Sequence, residues 1–139
     1  MNIISAFNKA FHRKAEQDWN KIYVLLDVHD TIIEGVYKKD EPWLWYEYAV
    51  DALRLMSDRK DVCLILWTGS TKERCNEIVS VLGEKGVHID YVNENPESED
   101  SEFYCSNSKI YFNVGIDDKF GFDPYVDWKR ILEYFKKHL

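Results

Sequence analysis

The residues best able to do chemistry stand where apolar runs stop. Asp27 follows IYVLL (22–26), Thr68 follows VCLILW (62–67), and Asp117 and Asp118 follow IYFNVGI (110–116). A carboxylate at such a position can attack a phosphoryl group and carry it as an acyl-phosphate. Asp27 with Asp117 or Asp118 can hold Mg²⁺, a hard cation that prefers oxygen ligands. The cation would offset the repulsion between an anionic nucleophile and an anionic phosphate. The Thr68 hydroxyl and the backbone N–H groups of Gly69 and Ser70, where a helix is expected to begin, can hydrogen-bond phosphate oxygens. Lys109, ahead of the fourth run, is the lysine best placed to neutralise transferring charge. Taken singly, each has a plainer role: a turn Asp, a helix-capping Thr-Gly-Ser, a solvated acidic pair, a surface lysine. Their joint placement at strand ends favours a site.

Periodicity supplies the elements that must hold these residues. Ile3, Ile4, Phe7, Ala10 and Phe11 predict an amphipathic helix over 3–18. The runs 22–26 and 62–67 are continuous and apolar, as strands buried on both faces are. Residues 33–43 are short, polar and turn-like, with Gly35 and Pro42. Trp45, Ala49, Ala52, Leu53 and Met56 share one face of a helix over 45–57. Ser70 and Glu73 form a capping box for a helix striped by Cys75, Ile78, Val79 and Leu82, with a stop at Gly83 or Gly86. VHIDYV (87–92) predicts a third strand and 110–116 a fourth. Residues 93–108 are a polar, acidic loop or insertion. Asp123-Pro124 predicts the start of a last helix carrying Trp128, Ile131, Leu132 and Phe135. Strands alternating with helices predict an α/β fold with a mostly parallel sheet and helices on both faces. In such sheets ligands bind beyond the carboxyl ends of the strands, so the three polar clusters would meet in one crevice.

Four stretches in this order resemble the motifs of the haloacid dehalogenase-like (HAD) superfamily. Asp27-Val28-His29-Asp30-Thr31-Ile32 is similar to its first motif, D-x-D-x-T in the phosphatases. LILWTGS resembles the second, Lys109 can serve as the third, and VGIDDK resembles the fourth. The resemblance runs from about Lys21 onward and is closest to small, cap-less, Mg²⁺-dependent phosphatase-like proteins. The helix within 1–20 lies outside it. It implies a Rossmann-like three-layer sandwich with no large cap domain and phosphoryl transfer through Asp27. Thr68, Gly69 and Lys109 would bind phosphate. Mg²⁺ would be held by Asp27, the backbone carbonyl of His29, and Asp117 or Asp118, with 33–43 as a flap. His29 departs from the family pattern, because family phosphatases place their general acid/base Asp there. Imidazole, with a reference pKa of ~6.5, can do the same proton work. The expectation is therefore a phosphohydrolase acting on a phosphate ester such as a nucleotide or nucleic-acid end. The alternative is a binding or regulatory protein that keeps the fold and has lost turnover at His29.

Composition bounds the rest. The 139 residues fit one domain, and 45% hydrophobic with 15% aromatic residues describes a folded chain. A net charge of −7 opposes a broad nucleic-acid-binding surface, which needs many Lys and Arg contacts. Lys9, His12, Arg13 and Lys14 are the one basic cluster and read as a solvated helix face. Cys63, Cys75 and Cys105 are widely spaced and form no CxxC, which argues against a zinc site and suits a reducing compartment; Cys63 reads as core. No apolar stretch reaches the ~18 residues of a membrane span, and no signal peptide is evident. A cytoplasmic chain acting on a phosphorylated substrate is the expectation.

Overall fold

The computed structural model of the chain describes residues 2–35, 43–98 and 110–137. Four strands, β1 (Ile22–Leu26), β2 (Val62–Leu66), β3 (Tyr91–Val92) and β4 (Val114–Ile116), form an all-parallel sheet in the order β3-β2-β1-β4. The helices are α1 (Ile3–Gln17), α2 (Ala49–Ser57), α3 (Lys72–Glu84) and α4 (Asp127–Lys137). The architecture is α/β and Rossmann-like, as expected. Leu26 sits at the centre of the register, opposite Leu66 on β2 and Ile116 on β4. That alignment brings the carboxyl ends of the three strands level.

Alternation along the strands sorts the two faces. Val24, Leu26, Leu64, Leu66, Val114 and Ile116 share one large core with the buried sides of all four helices. Helix α1 is integral to that core: Phe7 is fully buried, and its ring meets Phe135 of α4 edge-on at 5.1 Å. On the opposite face, Leu25, Cys63 and Ile65 form a second cluster with Tyr23, Tyr91 and Ile110. Among the described residues this face is layered by a 3₁₀ turn, Pro96–Ser98, and not by an α-helix. Glu97 of that turn accepts hydrogen bonds from Tyr91 Oη (2.7 Å) and Tyr23 Oη (3.4 Å) and pairs with Lys21 Nζ at 2.9 Å. Cys63 is core, as read from the sequence, and its burial pushes the thiol up to about 12.

Two strands are shorter than 87–92 and 110–116 because side chains take over ladder positions. Asp90 Oδ2 accepts the Leu64 N–H at 2.8 Å, and Asn113 Oδ1 accepts the Tyr23 N–H at 2.8 Å. Val87 and Ile89 turn into the helix-side core instead of pairing. Helix α2 starts at Ala49 and not at 45, because Trp45 bridges to Ile33 and Tyr46 N donates to Ile32 O at 3.1 Å. Tyr46 is buried, and Trp43, Trp45 and Tyr48 pack against the core. Helix α3 is capped by Thr71, whose hydroxyl accepts the Arg74 N–H; the expected Ser70–Glu73 box does not form, because the Ser70 hydroxyl bonds to Thr68. The stop lies at Gly86, whose φ of +84° needs a residue without Cβ; Gly83 stays within the helix. Asp123-Pro124 forms a turn, and α4 begins at Asp127, whose carboxylate accepts the Asp123 N–H. Lys9, His12 and Arg13 are exposed. Among the described residues no helix is long and apolar enough to cross a membrane.

Candidate metal and phosphate site

The ladder runs one residue past β1 and β2. Asp27 N donates to Ile116 O (2.9 Å) and Trp67 N to Leu26 O (2.6 Å). Asp27 is thereby fixed between Trp67 on one side and Asp117 on the other. The chain then turns sharply: Asp30 has a φ of 63°, and the Val28 carbonyl accepts N–H groups from Thr31, Ile32 and Ile33. This turn buries Thr31 completely and aims its hydroxyl back at the strand end.

The Thr31 hydroxyl lies 3.0 Å from Asp27 Oδ2 and 3.2 Å from Asp118 Oδ1, and it accepts the Asp118 N–H at 3.1 Å. One hydroxyl proton can serve only one of these carboxylates at a time. Asp117, also buried, spends Oδ1 on the Lys119 N–H at 2.9 Å. Ligand atoms of Asp27, Asp117 and Asp118 all lie within 4.8 Å of one another. Burial pushes the Asp27 carboxyl up to about 7, and the neighbouring Asp118 and Asp117 carboxylates push in the same direction. Three crowded acids with a single side-chain donor, Thr31, make an arrangement that a metal ion would relieve, and all three offer hard oxygen atoms.

The β2 side of the crevice carries the Thr68-Gly69-Ser70 loop. Thr68 Oγ1 accepts the Ser70 N–H at 3.2 Å and bonds to Ser70 Oγ at 3.0 Å. Asn93 fastens the loop from behind: its Oδ1 accepts the Thr68 N–H (2.9 Å) and its Nδ2 donates to the Thr68 carbonyl (2.8 Å). A Cβ on Gly69 would meet no protein atom within 4 Å, so the glycine leaves open space beside Thr68. His29 is partly exposed, two residues beyond Asp27, and bridges to Ile33. Lys109 lies outside the described residues, as does most of the expected flap.

The structure thus brings together Asp27, Asp117 and Asp118 and carries Thr68 and Gly69 on the adjacent strand end. Three further residues organise the site. Thr31 links both acidic strand ends, Asn93 holds the Thr68 loop, and Trp128 Nε1 donates to the Thr31 carbonyl at 2.7 Å. A hydroxyl four residues after Asp27 was the one sequence signal for Thr31. Asn93 has none, because it opens a polar run.

No protein-family model matches the chain, and no curated protein matches it. A solved structure does: a conserved protein coded by locus from Bacteroides thetaiotaomicron, 24% identical, with a TM-score of 0.64 over 86% of this chain and 93% of that one. The likeness shows the fold alone. It supports the Rossmann-like α/β architecture.

Proposed function

We propose that this chain is a Mg²⁺-dependent phosphohydrolase of the HAD type that works through an aspartyl-phosphate on Asp27. The carrying observation is the meeting of Asp27 with Asp117 and Asp118, with ligand atoms within 4.8 Å, at the carboxyl edge of a parallel sheet. Mg–O distances of ~2.1 Å put oxygens on a shared octahedral ion about 3–4 Å apart, which this cluster accommodates. Asp27, Asp117 and Asp118, with the His29 carbonyl, would hold the cation. Bound there, it would hold Asp27 in its anionic form and screen it from the phosphate.

The chain's own residues supply the remaining roles. An Asp27 carboxylate oxygen attacks phosphorus, the P–O bond to the leaving group breaks, and the leaving oxygen takes a proton from the His29 imidazolium. Neutral His29 then accepts a proton from water as the water attacks phosphorus, and Asp27 and inorganic phosphate are released. Thr68 and Gly69 orient the phosphoryl oxygens. His29 in place of a carboxylate is the one feature that favours the other reading, a binding or regulatory protein without turnover. Phosphate release from a panel of phosphate esters, with and without Mg²⁺, separates the two. The enzyme reading expects Mg²⁺-dependent release by the wild type and none by Asp27→Asn. An inert wild type leaves the binding reading.

A further inference from the structure

The face of the sheet opposite the α-helices carries more than the acids. Leu25, Gly115, Cys63 and Ile65 point to that face, since their neighbours Leu26, Ile116, Leu64 and Leu66 belong to the helix-side core. Two residues on, with the ladder unbroken, Asp27 and Trp67 point the same way. Phe112, ahead of β4, and Phe120, beyond it, lie over Gly115: a Cβ built there would stand 3.2 Å from the Phe112 ring and 3.7 Å from the Phe120 ring. Trp67 thus stands just past the end of β2, and Phe120, in the 3₁₀ turn Asp118–Phe120, stands with Phe112 beside β4. Trp67 is 41% exposed and Phe120 56%, so neither is there to fill the core. Neighbouring strands are ~4.8 Å apart, which places Trp67 one strand from Asp27 and next in sequence to the phosphate loop.

We infer that the substrate is a small phosphate monoester whose leaving group carries a flat aromatic or heteroaromatic ring, stacked on Trp67 and bordered by Phe120. This rests on the phosphohydrolase reading and specifies its substrate class. Both a nucleoside and an aryl alcohol supply such a ring. A net charge of −7 opposes a longer polyanion. Ring stacking on an aromatic side chain is sequence-tolerant and strong enough for an affinity difference of roughly tenfold or more.

The test uses Asp27→Asn protein with Mg²⁺ present, so that binding is read without turnover. AMP, phosphotyrosine and ribose 5-phosphate are titrated by calorimetry and by tryptophan fluorescence. The expected result is that AMP or phosphotyrosine binds at least tenfold tighter than ribose 5-phosphate and quenches fluorescence; whichever is tighter identifies the source of the ring. Trp67→Phe in the same background should lose most of the quench and keep the preference, while Trp67→Ala should lose the preference. Equal binding of the three, no binding of any, or a preference that survives Trp67→Ala overturns the inference. Ring-dependent binding together with an inert wild type keeps the ring-stacking surface as a ligand site and removes both the phosphohydrolase reading and the substrate assignment that rests on it. Hydrolysis of all three esters with equal kcat/KM keeps the phosphohydrolase reading and removes the ring preference.

Discussion

Asp27 and Glu97 both lie against the same face of one sheet, Asp27 at the carboxyl edge and Glu97 over the amino end of β1. Burial pushes both carboxyls up. At Glu97 the Lys21 and Tyr91 donors outweigh burial and hold the group below its ordinary value. At Asp27 burial and two more acids outweigh the Thr31 hydroxyl and the Val28 backbone donor, and the group is pushed up to about 7. A carboxylate kept for structure is surrounded by donors supplied by the chain. One left among other carboxylates has its compensation supplied from outside, by a cation or a proton. The difference separates a scaffold acid from a working one without reference to any motif.

The largest effect should come from Asp27. Asp27→Asn is expected to lower phosphate release by about 10³-fold or more, because an amide cannot form the acyl-phosphate; Glu97→Gln should leave release and Mg²⁺ binding near wild type. Equal losses in the two variants would break the comparison. Next in size is His29→Asp, which installs a carboxylate where the HAD-like phosphatases carry their acid/base. Turnover should rise by roughly 10–10²-fold, in kcat more than KM, since proton transfer acts in the transition state. A fall in kcat would show that the site is built around the His29 imidazole and is not improved by a carboxylate there.

The two acids should also differ in the sign of their pH effect. Asp27 binds its proton more tightly folded than unfolded, so in metal-free protein its contribution is present below about pH 4 and is lost as pH rises toward about 7. Glu97 has the opposite sense: its contribution is present above its ordinary value of 4.5 and is lost as pH falls through its lowered folded value. Urea midpoints measured from pH 3 to 8 should show the first loss vanish in Asp27→Asn or with added Mg²⁺, and the second vanish in Glu97→Gln. The smallest effect is on stability itself. Glu97→Gln should cost about 1 kcal/mol, because the Lys21–Glu97 pair is partly solvent-screened.

The sequence made the sheet's centre readable and its margins less so. IYVLL and VCLIL announce themselves because nearly every position on both faces is buried and, Tyr23 apart, every side chain is apolar. The outer strands are cut short by Asp90 and Asn113, whose side chains imitate backbone carbonyls, a substitution that hydrophobic patterning does not register. The acids were legible because each directly follows an apolar run. Asn93 was not, since its role depends on where β3 delivers it and not on its neighbours in the chain. Trp67 was read only as the end of a strand, and its exposure emerges once the helices are seen to occupy the other face.

The bond from Trp128 Nε1 to the Thr31 carbonyl joins residues 97 positions apart. On the ribosome that separation is a delay. At about 5–20 residues per second, roughly 5–20 s pass between synthesis of the Asp27 turn and that of the side chain that holds it. Asp118, which shares the Thr31 hydroxyl, arrives almost as late. The acids of the crevice can meet only after β4 has been made and pairs with β1, and the Trp128 bond to the Asp27 turn comes later still.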